Sequence, residues 1–162
     1  MPSTDPFLFA LTLAAALGCG LIGGVFFAFS AFVMKALSRL PPAEGMAAMQ
    51  SINVVVLNRW FLGAFLGTAG VCVAALLFSL LWWRDAGSVY LAVGSVLYLA
   101  GCLLVTIACN VPRNEALAKI ARDDSDAARR WFDYVATWTW WNHVRTLASL
   151  AAAAAFAVAL SY

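Results

Sequence analysis

Long stretches without a charged side chain constrain the fold of this chain more than any other feature. Four such stretches occur, at residues 6–34, 60–83, 86–112 and 146–162. A helix needs roughly 20 apolar residues to cross a hydrocarbon core of about 30 Å. The first three stretches exceed that length, and the fourth reaches it if its helix begins a few residues earlier. Open strands would leave backbone groups unpaired in lipid, so we expect helical spans.

Composition supports the same conclusion. Hydrophobic residues make up 64% of the 162 residues and charged residues 11%, against about half and about a quarter in soluble domains. A soluble fold of this composition would expose large apolar patches, which soluble monomers avoid. We therefore predict an all-α, integral membrane four-helix bundle, with a single domain over residues 1–162 and spans at about 7–34, 58–83, 88–111 and 138–161.

The basic residues predict which end of the bundle faces the cytoplasm. Nine of the ten Lys and Arg residues lie in segments 35–59 and 113–145, and the tenth is Arg84. Cytoplasmic loops are enriched in Lys and Arg. We therefore expect a multi-pass protein of a bacterial inner (cytoplasmic) membrane, with loops 35–59 and 112–141 in the cytoplasm and both termini outside. A net charge of +2 gives no indication of nucleic-acid binding.

Small residues within the spans predict close helix packing. Gly63 and Gly67 form a GxxxG pair, the first span is rich in glycine, and the last is rich in alanine. Small residues let membrane helices approach closely, and the same faces permit a homodimer. The cysteines form no CxxC pair, which favours packing over a thiol-redox role; they are Cys19, Cys72, Cys102 and Cys109.

Both cytoplasmic segments are expected to be partly helical. Pro41 and Pro42 suit a helix start, and no further breaker precedes Asn58, so the second helix is expected to begin well before the membrane. Pro112 is expected to break the third helix. Beyond it, residues 123–126 predict a turn and the cap of a long helix that enters the membrane.

Polar side chains within the spans gather at one depth. Counting about 1.5 Å per residue, they form a layer near the cytoplasmic face: Ser30, Asn53, Asn58, Thr106, Asn110, Asn142, His143, Arg145 and Thr146. Polar groups inside membrane helices are costly and often mark sites. Around the last helix, His143 and Arg145 flank Asn142, and we expect them to embrace one cavity. Each of these features also has a competing explanation by itself. Arg145 would snorkel to the interface, the tryptophans would form an interfacial belt, and His143 would be an ordinary packing residue.

Two motifs near the C-terminus resemble those of a known family. Residues 110–117, Asn-Val-Pro-Arg-Asn-Glu-Ala-Leu, resemble the NVPxNxxL element of the anthrone oxygenase-like family of small membrane proteins, and residues 131–150 resemble its C-terminal signature. Segments 28–34 and 49–53 are also similar. The resemblance implies a four-helix membrane protein. Fungal relatives oxidise anthrones, which are tricyclic phenolic ketones, to anthraquinones with molecular oxygen and no known cofactor, while most bacterial members are uncharacterised.

The resemblance and the shared depth together suggest roles for individual residues. His143 is the expected base, since an imidazole titrates near neutrality, and Arg145 and Asn110 are expected to steady the enolate or the superoxide. The expected substrate-binding residues are Asn53, Asn142, Trp138, Trp141, Gln50, Asn114 and Ser30. No metal or organic cofactor is expected, because one histidine and no acid within the spans cannot form a two-His-one-carboxylate iron site. The expected ligand is a small hydrophobic aromatic molecule.

Two non-enzymatic classes remain as alternatives. A small transporter subunit is one, although no acid lies between Asp5 and Glu44 or between Asp85 and Glu115 to couple export to protons. The other is a non-catalytic membrane protein that binds a lipid or quinone, in which Lys35 and Arg145 would meet a phosphate group. A quinone or polyphenol that co-purifies in mild detergent would favour the enzyme, and a lipid would favour the binding protein.

Overall fold

Five helices make up the part of the chain that the computed structural model describes, residues 5–82, 86–121 and 126–162. They are α1 (Pro6–Leu37), α2 (Pro42–Val55), α3 (Arg59–Leu81), α4 (Ala86–Ala118) and α5 (Ala127–Ala159). No strand occurs within these residues, and the predicted all-α class is confirmed. Helices α1, α3 and α4 are long and apolar enough to cross a membrane, which fits a membrane bundle.

The four long helices pack in a ring. Helix α1 packs against α3 and α5, and α4 packs against the same two helices. Helix α2 lies across the end of the ring, against α5 and the last turns of α4. Helix α5 has 33 residues, long enough to cross a bilayer, but it carries Asn142, His143 and Arg145 in its middle. Its crossing, and therefore the count of four spans, stays a prediction.

Glycines in α1 and α4 allow the close packing predicted from the sequence. A Cβ added at Gly101 would lie 2.5 Å from the Cβ of Ala148 on α5, and one added at Gly23 would lie 2.8 Å from Leu150. Both distances are shorter than real contacts, so α5 can approach its neighbours only because these positions lack a side chain. Gly63 and Gly67 of the GxxxG pair instead face open space on the outer surface of α3.

The junction of α2 and α3 corrects one sequence prediction. Helix α2 begins at Pro42, as expected, but ends at Val55, and a separate helix begins at Arg59. The side chain of Asn58 causes this break. Its Oδ1 accepts hydrogen bonds of 3.0 Å from the backbone N–H groups of Trp60 and Phe61, and its Nδ2 donates to the carbonyl of Val55 at 2.9 Å. Asn58 therefore caps α3, and the second span does not extend into the segment before it, which was predicted to be cytoplasmic.

Replacing Asn58 with alanine is expected to destabilise the fold by about 0.5–2 kcal/mol, the usual effect of losing a helix cap. For a chain of this size that corresponds to a fall of a few degrees in the midpoint of thermal unfolding, at about 2–4 °C per kcal/mol. Ser51→Ala, at an exposed position of α2, is the matched control. An unchanged midpoint in the Asn58 variant would show that the cap contributes nothing to stability.

Helix α4 continues through Pro112, contrary to the predicted break. Residues Leu97–Leu104 and Thr106–Asn110 form wide π-helical turns, and α-helical hydrogen bonding resumes at Val111. Proline lacks an N–H and its ring clashes with the carbonyl four residues earlier. A wide turn immediately before Pro112 relieves that clash without ending the helix. The predicted turn and cap lie outside the described residues, except for Asp126, which directly precedes α5.

Candidate functional site

A cavity of about 450 Å³ lies at the end of the bundle where α2 crosses it. All five helices contribute to its wall, which is mainly apolar and includes the aromatic rings of Phe26, Phe29 and Trp138. A few polar side chains interrupt this apolar lining: Gln50, Asn53, Thr106, Asn114, Glu115 and Arg145. Such a combination of apolar walls with few polar groups is typical of small-molecule sites.

The guanidinium of Arg145 is a buried positive charge in this wall. Only 4% of the residue is exposed. Its Nη2 donates to Asn142 Oδ1 at 2.7 Å, its Nη1 donates to Thr106 Oγ1 at 3.2 Å, and its Nε has no partner among the described residues. Its Cζ lies 4.0 Å from the ring centroid of Phe26, a cation–π contact that offsets part of the burial cost.

No carboxylate of the described residues pairs with Arg145. Within that part of the chain, the ion pair found joins Arg129 and Asp126 at the surface. Burying a charge without a counter-charge costs several kcal/mol. Hydrogen bonds from two neutral side chains and one aromatic face reduce that cost but leave the charge uncompensated. The cavity is therefore electrostatically suited to an anion.

Asn142 holds Arg145 in place and ties α5 to α1. The asparagine is fully buried. Its Nδ2 donates to the carbonyl of Phe26 and to Ser30 Oγ, both at 2.7 Å, while its Oδ1 accepts from Arg145. Ser30 lies in the π-helical turn Phe29–Val33 of α1 and also contacts Thr146 Oγ1 at 3.2 Å. Asn142 and Ser30 therefore support the cavity wall from behind.

Asn114 fixes the orientation of Trp138. Its Oδ1 accepts from the indole Nε1 of Trp138 at 2.8 Å and from the hydroxyl of Tyr134 at 2.9 Å. Asn110, one turn earlier on α4, donates to the backbone carbonyl of Trp138 at 3.3 Å. The NVPxN element and the C-terminal motif thus contact each other directly. Their shared effect is to present one face of the indole to the cavity.

Two cavity groups have unused hydrogen-bonding capacity. The Nδ2 of Asn53 and the Nε of Arg145 are buried and have no partner among the described residues, and both side chains line the cavity. Leaving a buried donor unpaired costs about 1–3 kcal/mol. Such groups in a native structure call for a functional explanation.

His143 does not share this cavity, and the prediction that it embraces one cavity with Arg145 is wrong. It is exposed and lines a separate pocket of about 370 Å³ together with Ser30, Lys35 and Trp140. Residues two apart on a helix differ by about 200° in direction, so the body of α5 separates the two side chains. Polar residues of α5 lie on both sides of the helix, and their closeness in sequence does not show which side each one faces.

The remaining predicted site residues divide into three groups. Five line the cavity: Arg145, Asn53, Gln50, Asn114 and Trp138. Three lie behind its wall and make hydrogen bonds that support it: Asn142, Asn110 and Ser30. The third group is Trp141, which does not line the cavity; its ring lies 5.9 Å from the Cζ of Arg113.

Sequence reasoning missed Glu115. This exposed residue of α4 lines the cavity. The signal was present: Val111, Asn114, Glu115 and Ala118 are spaced i, i+3, i+4 and i+7, so they share one helix face, and all four line the cavity. The residues that line the cavity thus include one cationic and one acidic residue. No group of three or more His, Cys, Asp or Glu side chains that could hold a metal ion occurs within the described ranges.

Comparison with known proteins identifies a family to which the chain is similar. A family model described as anthrone oxygenase matches residues 57–155, which is more than half of the chain. The matched range includes α3, α4 and most of α5, and with them Glu115 and Arg145. No curated protein and no solved structure matches the chain.

Proposed function

The chain belongs to the anthrone oxygenase family, and from this premise we propose that it oxidises a flat phenolic ketone of the anthrone type with molecular oxygen. The observation that carries the proposal is the uncompensated guanidinium of Arg145 in an aromatic-lined cavity. An anthrone that has lost a methylene proton is a flat, delocalised oxyanion. Its shape suits the rings of Phe26 and Trp138, and its charge suits Arg145.

The proposed reaction draws its electrons from the substrate itself. A base removes a proton from the methylene carbon opposite the ketone, which gives the enolate. The enolate transfers one electron to oxygen, and the resulting carbon radical and superoxide combine and take up a proton to form a hydroperoxide at that carbon. Loss of water leaves the second ketone of an anthraquinone. One anthrone and one oxygen molecule thus give one anthraquinone and one water. The protein supplies a base, an oxyanion partner and a dry pocket.

Glu115 is the base in this proposal, in place of His143. Glu115 lines the same cavity as Arg145, whereas His143 lines a different pocket. A general base must reach the proton that it removes, so a shared cavity is the first requirement. Glu115 is also exposed, which lets it return the proton to water after each turnover. Arg145 assists by stabilising the enolate oxygen, which makes the methylene proton easier to remove.

The orientation in the membrane is part of the same proposal. Nine of the ten Lys and Arg residues lie on the side of segments 35–59 and 113–145, which favours a cytoplasmic location for the cavity end and an external location for both termini. With α5 as the fourth span, the site lies at the inner-leaflet end of a four-span protein of a bacterial inner membrane.

The direct test is oxidation of an anthrone by the purified full chain in lipid vesicles. We expect anthraquinone absorbance to rise faster than in protein-free vesicles, with one oxygen consumed per quinone formed. The protein-free rate must be subtracted, since anthrones also oxidise spontaneously. Binding of the anthrone without any acceleration would refute the oxygenase and favour the non-catalytic binding protein.

Replacing Asn142 with aspartate is expected to weaken the binding of an anionic ligand. The new carboxylate would stand where the amide oxygen lies 2.7 Å from Arg145 Nη2, and it would neutralise the guanidinium. We expect the affinity for an anionic phenol to fall by tenfold or more, at about 1.4 kcal/mol per factor of ten. Affinity for a neutral methyl ether of the same phenol, measured by fluorescence titration, serves as the control and should change little. An equal loss for both ligands would indicate a collapsed cavity instead of a neutralised charge.

A further inference from the structure

The wall of the cavity is incomplete between α3 and α4. Leu66 of α3 and Ile107 of α4 line the cavity, yet 54% and 56% of their surfaces are exposed. A side chain that lines the cavity can be more than half exposed only where the cavity opens to the outside. Helix α3 packs against residues 86–104 of α4 but has no comparable packing against Thr106–Asn110. The two helices therefore diverge towards the end where the cavity lies.

This opening extends further into the span than Arg59 and Arg113, the nearest charged residues along α3 and α4. Leu66 is seven residues beyond Arg59, and Ile107 is six residues before Arg113. At the helical rise, each lies about 10 Å further into the span than its arginine. Charged side chains that face lipid stay at or near the interface, so Leu66 and Ile107 lie at the depth of the acyl chains. The outer surface beside them is apolar as well, since Leu104 is exposed there.

The other end of the opening lies at the membrane interface. Val54 and Leu57, in and after the last turn of α2, line the cavity and expose 73% and 67% of their surfaces. Trp60 follows, exposed, with the Cζ of Arg59 5.0 Å from its ring centroid. Exposed apolar side chains beside tryptophan and arginine are typical of segments that lie in the headgroup region. The segment 54–60 therefore places the edge of the opening at the bilayer surface.

The two ends of the opening differ in polarity. Ile107, Val111 and Glu115 recur every four residues along the exposed face of α4, and all three line the cavity. Ile107 lies at the apolar end and Glu115 at the end nearest the cytoplasm. A molecule in the opening would meet hydrocarbon on one side and a carboxylate near water on the other. The opening is thus amphipathic along its length.

We propose that this opening, the lateral mouth formed by Val54, Leu57, Leu66, Ile107 and Val111, admits the substrate from the inner leaflet of the bilayer and not from the cytoplasm. The inference rests on the proposed function and narrows its substrate class. The substrate is a sparingly water-soluble amphiphile with a flat aromatic body, which partitions into the membrane, and a single acidic oxygen, which reaches Arg145. The quinone product returns to the bilayer by the same route.

Spin labels test where the lateral mouth lies without any measurement of activity. Single cysteines at Leu66 and Ile107, in full-length Cys109→Ser protein in lipid vesicles, would carry the label; the other three native cysteines are fully buried. Collisions with dissolved oxygen report lipid, and collisions with a water-soluble nickel chelate report water. Labels at Leu77 and Ser51, both exposed, calibrate the lipid and water limits. We expect the collision rates at positions 66 and 107 to be close to those of the label at Leu77. Rates close to those of the label at Ser51 would overturn the proposal.

A bulky side chain at the mouth tests the route itself. Ile107→Trp should lower kcat/KM for a bilayer-partitioned anthrone by about tenfold, corresponding to about 1.4 kcal/mol, while kcat at saturation changes little. Leu104→Trp, one turn away on the outer surface, is the matched control. Equal kcat/KM in both variants would overturn lateral entry. Because the spin-label result does not require turnover, an inactive protein would refute the proposed function and still leave the position of the mouth measurable.

Discussion

Replacing Arg145 with methionine is expected to abolish anthrone oxidation without destabilising the fold. Loss of a preorganised oxyanion partner lowers turnover by about 10²–10³-fold. The same change removes a buried charge that no carboxylate of the described residues balances, and an apolar side chain of similar length is often tolerated or stabilising at such a site. Against this gain stands the unpaired Asn142 Oδ1, at about 1–3 kcal/mol. The midpoint of thermal unfolding is therefore expected to stay level or to rise.

The two readouts separate a functional arginine from a structural one. Thermal unfolding in detergent and oxygen uptake in vesicles are measured on the same preparation. Arg145→Lys is the matched control, because it retains the charge but loses the forked donors, and it should keep part of the activity. If Arg145→Met loses stability and turnover together, the guanidinium serves the fold and the anion-binding proposal loses its main support.

The fold follows from the sequence largely because lipid excludes charge. The uncharged stretches 60–83 and 86–112 correspond closely to helices α3 and α4, since a single charged residue in a span is costly. The errors came from local chemistry that hydropathy does not register. Asn58 ends one helix and caps the next through its own side chain, and wide turns before Pro112 let α4 continue.

The depth of the candidate-site residues in the bundle could be predicted from the sequence, but the helix face on which each residue lies could not. Asn53, Thr106 and Arg145 were assigned to one layer because helical rise converts residue number into depth, and all three line one cavity. Direction requires knowing which face of α5 meets its neighbours, and the sequence offered polar residues on both flanks. His143 was therefore assigned to the wrong side of α5. Glu115 was overlooked because an acid in a segment predicted to be cytoplasmic does not indicate a site until the helix face that it shares with Asn114 is considered.

Glu115→Gln is expected to lower kcat strongly at neutral pH, by about 10²–10⁴-fold, the usual contribution of a general base. Affinity for an anionic product analogue should be retained or rise, because the glutamine keeps the shape of the cavity rim, Arg145 still binds the oxyanion, and one negative charge is removed. His143→Gln is the matched control. Its side chain faces the other pocket, so turnover and its pH profile should match those of the unmodified protein.

The pH profile distinguishes a lost base from a damaged cavity. A base is needed only while the substrate is protonated, so the deficit of Glu115→Gln should shrink as rising pH ionises the anthrone without assistance. A damaged cavity would instead bind the ionised anthrone poorly and leave the deficit constant across the pH range. Replacing the methylene hydrogens with deuterium should slow the variant more than the unmodified protein at neutral pH, since proton removal then limits its rate. A large deficit in His143→Gln with none in Glu115→Gln would reverse the assignment, and would require a substrate bound on the opposite face of α5.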